Sequence, residues 1–200
     1  KDAVNWVVVP FNNSYAPGPK TFDFDINQVS YTADRAENVD LSDGYYDLNQ
    51  AVVALKANAV AKATSIADLK GYKFGAQVGT TSYQTIQSVI APTKEAAVYE
   101  SNDAAIEALK AKQIDAIVLD LPTALYVSAV EIEGSKVIGQ FPLSDQVGAD
   151  NFGMVFDLNN PLVDCVNEAL SRMRDLTYEL ISIEETWISG YTGAPVISLD

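Results

Sequence analysis

Polar side chains that follow a predicted strand near the N-terminus have the types needed to bind a small carboxylate. Ser30, Thr32 and Arg35 come after an extended, apolar-alternating run over residues 22–29. A guanidinium presents a planar fork of donors that matches carboxylate geometry, and hydroxyl groups add further donors. This spacing predicts a carboxylate site; the alternative is a solvated ion pair between Arg35 and the acidic residues beside it.

Two later turns add complementary chemistry, because each also follows the carboxyl end of a predicted strand. Gly79-Thr80-Thr81 offers a close backbone approach and the N–H groups that open a helix, which attract an anion. Asp120 offers a carboxylate. Ligands of open α/β sheets sit at this edge, so the turns together predict recognition of both ends of a free α-amino acid. The alternative is that Thr80 and Asp120 only cap the helices that follow them.

The elements that must position these groups alternate along the chain. Strands are predicted over residues 4–9, 22–29, 50–56, 72–77, 96–99, 115–119, 136–138 and 152–156. Helices are predicted over residues 32–39, 82–90 and 178–187. Four further helices are predicted from their start signals: a capping box at Ser65 and Asp68, a cap at Asn102, the turn Asp120-Leu121-Pro122, and Pro161. This alternation predicts an α/β fold with mostly parallel, doubly wound sheets.

Several of these segments are predicted to be buried. The β-branched run at residues 4–9 is typical of a buried parallel strand. The apolar stripes of the last two helices, including Leu162, Val166 and Leu170, are expected to face the core, and Cys165 is expected to be a buried free thiol.

Composition excludes several classes of function. The chain has 200 residues, is 48% hydrophobic, and carries 13 basic against 27 acidic residues for a net charge of −14. Such a charge repels phosphates, so we expect no nucleic-acid partner and no binding to anionic lipid. The absence of histidine removes His-based triads and most zinc sites, and neither a metal nor a cofactor is predicted.

The order and spacing of three sequence blocks resemble one protein family along nearly the whole chain. They are S-x-T-x-x-R with V-D-L-S and Y-Y, then D-L-K-G-Y-K-F-G-A-Q-V-G-T-T, then I-D-A-I-V-L-D. The chain is similar to the extracytoplasmic solute-binding proteins of polar amino-acid ABC transporters. The resemblance implies the type II periplasmic-binding fold, in which two α/β lobes are joined by two crossing strands. Lobe 1 would comprise residues 1–54 and 149–200, and lobe 2 residues 55–148.

The resemblance also implies roles for individual residues. Arg35 would pair with the ligand α-carboxylate, with the Thr81 hydroxyl and the amides around Thr80 and Thr81 closing on the same group. Asp120 would accept the α-ammonium. The remaining positions would help hold the ammonium or line the pocket: Ser30, the backbone carbonyl of Gln28, Asn27, and Phe11 as an aromatic over the ligand side chain.

The implied function is non-enzymatic capture of a free polar amino acid between the lobes and its delivery to a membrane permease. The alternatives are a ligand-sensing receptor ectodomain and a dehydratase-like enzyme on the same scaffold. An extracytoplasmic location, periplasmic or lipid-anchored, is expected, with the export signal absent from this sequence.

One departure from the family pattern concerns the N-terminal side of lobe 1. The family's opening strand and helix are missing before residues 4–9, so the sequence is expected to be truncated. That would leave a strand position of lobe 1 empty, and a strand-exchanged oligomer is a further expectation.

Overall fold

The computed structural model describes residues 4–142, 150–188 and 194–199. Contacts divide the chain into two compact units. Unit 1 draws on Lys1–Asp47 and Asp150–Thr186, and unit 2 on Leu48–Ala149 and Trp187–Asp200. These units differ from the expected lobes in that residues 48–54 and the C-terminal tail group with unit 2. The lobe boundaries given above stay a prediction.

Helices and strands alternate through much of the described chain. The helices are α1 Phe11–Ser14, α2 Ala33–Ala36, α3 Ile66–Leu69, α4 Thr81–Thr85, α5 Asn102–Lys110, α6 Leu121–Tyr126, α7 Leu162–Asp175 and α8 Glu179–Trp187. The strands are β1 Asp25–Ser30, β2 Asp40–Leu41, β3 Tyr46–Leu48, β4 Gln50–Leu55, β5 Phe74–Gln77, β6 Ala97–Tyr99, β7 Ala116–Asp120, β8 Ser135–Gln140 and β9 Asp150–Phe156. A π-helical turn, Ile86–Ile90, continues α4, and another, Val127–Glu131, continues α6.

Unit 1 is built on a small sheet around β9. Strands β1 and β2 pair with β9 in antiparallel fashion, and β3 also pairs with β9. The buried core of this unit is small and centres on Val29, Val39 and Val155, with Phe11 and Tyr15 packed against it. The sheet thus fixes the end of β1 at Ser30, which leads directly into α2.

Unit 2 contains a five-stranded sheet in the order β6-β5-β7-β4-β8. Its β6-β5-β7 part is parallel, and β4 pairs with β7 and β8 in antiparallel fashion. Successive residues of β4 point to opposite faces, and both faces are buried: Val52 packs in one core cluster and Val53 in the other. A sheet covered on both faces is the α/β arrangement that the alternating pattern predicted.

The C-terminal tail adds short bridges to unit 2. Val196 pairs with Gln140 and Ser198 with Ser65, both in parallel register. Ile197 between them is only 2% exposed and packs into the core beside Val52. The tail therefore completes one edge of this unit, although residues 187–200 were expected in lobe 1.

Local capping signals in the sequence are mostly confirmed. Ser65 and Asp68 form the predicted capping box, and the Thr32 hydroxyl accepts the Arg35 N–H at the start of α2. The cap predicted at Asn102 is wrong by one residue. Ser101 is the N-cap of α5, and its hydroxyl accepts the Ala104 N–H.

The prediction of a buried strand over residues 4–9 is wrong. The segment has no regular structure, and Trp6 and Val8 are 82% and 98% exposed. β-Branched composition favours a strand only where a neighbouring strand accepts its hydrogen bonds and covers its side chains. No strand in the described residues does this for the segment.

The burial predicted for the last two helices is also largely wrong. Of the apolar stripe of α7 only Leu170 is buried, while Leu162 is 43% exposed. Helix α8 has no buried residue, and Cys165 is an exposed free thiol. Amphipathic periodicity shows that a helix has an apolar face, but burial of that face depends on what packs against it. Within the described ranges, no helix is long and apolar enough to cross a membrane.

Candidate functional site

Arg35 is held at the end of β1 by its own helix start. Thr32 caps α2, so the short helix turns Arg35 back towards the strand it follows. Its Nη1 donates to the Ser30 carbonyl oxygen at 2.7 Å, and the residue is only 6% exposed. A buried guanidinium with a fixed orientation suits recognition of a carboxylate, as the sequence predicts.

The ring of Phe11 in α1 and the ring of Tyr15 directly after α1 flank the same guanidinium. The Arg35 Cζ lies 4.4 Å from the Tyr15 ring centroid and 5.5 Å from that of Phe11. The rings meet edge to face, and the Tyr15 hydroxyl donates to the Asn12 Oδ1 at 2.6 Å. These cation–π contacts help to fix the Arg35 side chain. Tyr15 is not among the predicted site residues, because it opens the Pro-rich segment that follows α1 and no sequence signal marks it.

The other predicted residues of unit 1 fall into two environments. Ser30 is 3% exposed and pairs with Phe152 across β1 and β9. Asn27 and Gln28 are exposed, and the register of β1 shifts between Asp25 and Val29. Gln28 has a φ of 54°, which is rare for a residue with a side chain and is typical of a bulge. The structure therefore brings Ser30 and Phe11 to Arg35, and places Asn27 and Gln28 on an exposed bulge.

Within unit 2 a single buried amide joins two of the predicted site residues. The Gln50 Nε2 donates to the Asp120 Oδ1 at 2.6 Å and to the Thr81 Oγ1 at 3.2 Å. The Gln50 Oε1 accepts from the Ser82 Oγ at 2.7 Å. Strands β4 and β7 and helix α4 thus contribute to one polar cluster at the carboxyl end of β7.

Asp120 is not used as an ordinary helix cap. It occupies the N-cap position of α6, but its side chain makes no capping hydrogen bond, and Pro122 stands in the first turn. Its carboxylate is instead turned towards Gln50. An acceptor placed in this way can take an ammonium group.

Thr80 and Thr81 differ in what their hydroxyl groups do. Thr80 caps α4 by accepting the Tyr83 N–H, and it donates to the Gln77 carbonyl oxygen at 2.7 Å. The Thr81 hydroxyl belongs to the Gln50 cluster. Gly79 has a φ of 72°, a left-handed conformation that glycine adopts without strain, so the loop can turn sharply into the helix.

Gln50 and Ser82 are not among the predicted site residues, and the sequence predicts Gln50 only as the first residue of an apolar strand. A signal was present, because the next five residues of the strand are apolar. A polar side chain at the start of such a strand lies at the end of a buried layer. Among the described residues, no group of three or more acidic or cysteine side chains is placed to hold a metal ion.

The chain belongs to a known family. The family model of bacterial extracellular solute-binding proteins, family 3, matches residues 2–190, which include every site residue discussed above. The fold is accordingly the two-lobed type II periplasmic-binding fold, and the family is one of the solute-binding proteins of ABC transporters.

Individual relatives and solved structures agree with this assignment. A probable histidine-binding protein of Campylobacter jejuni is 29% identical over 84% of this chain and 64% of its own length. The structure of an ancestral arginine-binding protein bound to arginine is 30% identical, with a TM-score of 0.66, over 84% of this chain and 72% of that one. An ancestral amino acid-binding protein, a precursor of cyclohexadienyl dehydratase, is 27% identical, with a TM-score of 0.67, over 84% of this chain and 69% of that one. The chain thus spans just under two thirds of the length of the curated relative.

Proposed function

We propose that this chain binds a free polar amino acid and delivers it to the permease of an ABC transporter outside the cytoplasm. The Arg35 guanidinium and the Thr81 hydroxyl bind the ligand α-carboxylate, and Asp120 binds the α-ammonium. Phe11, Ser30, Asn27, Thr80 and the Gln28 carbonyl remain candidates for the surrounding contacts.

The observation that carries the proposal is the polar cluster around Gln50. It holds a hydroxyl that can donate to a carboxylate beside a carboxylate that can accept from an ammonium. A carboxylate and an ammonium are the two groups common to all free α-amino acids. Thr81 and Asp120 are partly shielded from solvent, which strengthens charge-assisted contacts with them. The names of the relatives support amino acids as the class of ligand.

We propose a binding role rather than an enzymatic one. The groups of the cluster are accounted for by a zwitterionic ligand: a donor for one charge and an acceptor for the other. An enzyme on this scaffold would need an additional acid or base placed at the reacting carbon. Turnover of a cyclic carboxylic acid by the purified chain would favour the enzymatic alternative.

A thermal-shift screen against the twenty common amino acids tests the proposal. A ligand that binds only the folded state at about 100 times its dissociation constant adds about 2.7 kcal/mol to the free energy of unfolding. We expect a clear rise in melting temperature with one or a few polar amino acids. Absence of a shift for all twenty in a folded sample would contradict the proposed function.

Substitution of Arg35 tests the assignment of the carboxylate site. Arg35→Ala should weaken binding of the amino acid selected by the screen by at least about 2–4 kcal/mol, because a ligand charge then remains without its partner. Isothermal titration calorimetry measures the change. Arg172→Ala is the matched control, since the Arg172 side chain is 68% exposed on α7, and it should leave the affinity unchanged. Near-native affinity of Arg35→Ala would refute this role of Arg35.

A further inference from the structure

We infer that Gln50 is a positioning residue of the amino-acid site. Its side-chain amide orients the Asp120 carboxylate and the Thr81 hydroxyl, and through Asp120 it sets the preference for an α-amino acid over the corresponding des-amino acid. The inference rests on the proposed function, since it assigns how the proposed contacts are held in place.

The sheet register places Gln50 opposite Asp120. The two residues are direct partners at the end of the antiparallel β4–β7 ladder, which also pairs Val52 with Val118. Side chains of such partners project from the same face of a sheet. Val52 and Val118 lie in the core cluster beneath α4. Gln50 and Asp120 therefore form the polar end of an otherwise apolar layer, next to the residues that begin α4.

The hydrogen-bond partners decide the orientation of the Gln50 amide. An ionised carboxylate only accepts, so the amide nitrogen must face Asp120, and Ser82 must donate to the amide oxygen. The two Nε2 hydrogens go to Asp120 and Thr81. Gln50 is only 2% exposed, and its amide is held by partners on two other elements, β7 and α4, so it cannot rotate without breaking several hydrogen bonds.

The fixed orientation of the Gln50 amide determines how Asp120 and Thr81 can contact a ligand. Because Gln50 holds the Oδ1 of Asp120, the direction of Oδ2 is fixed, and we assign Oδ2 to the ligand ammonium. The hydrogen bond from Gln50 to the Thr81 oxygen fixes the position of the Thr81 hydroxyl, and we assign this hydroxyl to the ligand carboxylate. Gln50 thereby sets the geometry of both contacts while itself remaining buried.

The opposite end of β7 has a similar pair of a side-chain amide and a carboxylate, and no predicted site residue takes part in it. There the Asn58 Nδ2 donates to the Asp115 Oδ1 at 3.1 Å. Asp115 immediately precedes β7 and Asp120 is its last residue, so a strand length separates the two pairs. Asn58→Leu is therefore a matched control for Gln50→Met. Each substitution removes one amide that donates to a carboxylate and keeps the side-chain size.

The test compares binding of an amino acid with binding of its des-amino analogue. L-arginine is measured against 5-guanidinopentanoate, and L-glutamine against 4-carbamoylbutanoate, by calorimetry on the whole chain. Gln50→Met should weaken binding of the amino acid about 10- to 100-fold. The analogue keeps the carboxylate contacted by Thr81 but lacks the ammonium contacted by Asp120, so its affinity should fall less, and the preference for the amino acid should fall. Asn58→Leu should lower the melting temperature and leave the preference unchanged.

Each outcome decides the inference. A folded Gln50→Met that keeps the wild-type affinity, or that loses amino acid and analogue equally, would overturn it and leave the proposed function standing. If Gln50→Met does not fold, Ser82→Ala takes its place, since it releases the same amide from the other side, and the same fall in preference is required. A folded wild-type chain that binds none of the twenty amino acids would overturn the proposed function and this inference together.

Discussion

At the scale of single residues, polar contacts rather than residue type distinguish structural carboxylates from candidate site carboxylates. Asp120 and Asp115 lie at opposite ends of β7, and each accepts from a side-chain amide. Asp115 also accepts the Lys73 backbone N–H at 2.8 Å and lies 3.8 Å from the Lys94 ammonium. Burial of Asp115 disfavours its ionised form, but these hydrogen bonds and the Lys94 charge outweigh burial and hold its pKa below the ordinary 3.8.

Asp115 should therefore stabilise the fold in a pH-dependent way. A carboxylate whose pKa is lower in the folded state contributes stability above its unfolded pKa, and that contribution is lost as the pH falls through the folded value. We expect Asp115→Asn to lower the free energy of unfolding at pH 7 by about 1–3 kcal/mol. We also expect it to flatten the loss of stability below pH 3.8. Urea unfolding at several pH values measures both effects.

Glu133→Gln is the control for this prediction, because Glu133 is exposed. It should change the free energy of unfolding by less than about 0.5 kcal/mol. An Asp115→Asn protein with the wild-type stability and the wild-type pH profile would show that the contacts of Asp115 contribute nothing to folding.

At the scale of elements, the two units differ in how well their helices are anchored. Helix α5 buries four residues: Ala105, Ile106, Ala108 and Leu109. The longer α7 buries Leu170 alone. Since burial of apolar area is the main stabilising term, Leu170 is the largest single apolar contribution of α7, and Asn167 and Arg174 add hydrogen bonds to residues 43 and 44.

Truncation of Leu170 should therefore lower the free energy of unfolding by a large amount for a single substitution. We expect Leu170→Ala to lower the free energy of unfolding by about 2–5 kcal/mol, through lost burial and the cavity left behind. Leu162→Ala on the same helix should cost less than about 0.5 kcal/mol because Leu162 is 43% exposed. Circular dichroism during urea unfolding compares the two variants, and equal costs would contradict the view that Leu170 is the main apolar anchor of α7.

At the scale of the whole molecule, exposed apolar residues are concentrated in particular segments. Val4, Trp6, Val7 and Val8 are between 55% and 98% exposed, directly before α1. Contiguous exposed apolar surface of this kind favours association, and a β-branched run can pair with another chain. The net charge of −14 opposes close approach of two copies and should be screened by salt.

We therefore predict that the chain self-associates, and more strongly at high salt. Sedimentation velocity at rising concentration should show oligomers, and Val8→Lys should shift the population towards monomer. Val130→Lys is the control, because Val130 is a 66% exposed valine elsewhere in the chain. The Val130→Lys variant should form oligomers as the wild type does. A wild-type chain that stays monomeric at all concentrations and salt levels would rule out the strand-exchanged oligomer expected from the sequence.

The sequence by itself determined the family, the α/β class and most of the local signals. Periodicity and capping depend on neighbouring residues, so β4, the Ser65–Asp68 capping box and the Thr32 cap could be predicted from short stretches. The sequence also pointed to Arg35, Thr81 and Asp120, since each follows a strand end. Their roles in binding stay a prediction.

Only the tertiary structure decided what lies against what. It made Gln50 the centre of a polar cluster because β-sheet register brings residues 50 and 120 together across 70 positions of sequence. It left residues 4–9 and most of the α7 stripe exposed, because burial requires a partner surface that periodicity cannot supply. Local patterns follow from the chemistry of adjacent residues, whereas pairing and burial depend on contacts between residues distant in sequence, and those exist only in the folded chain.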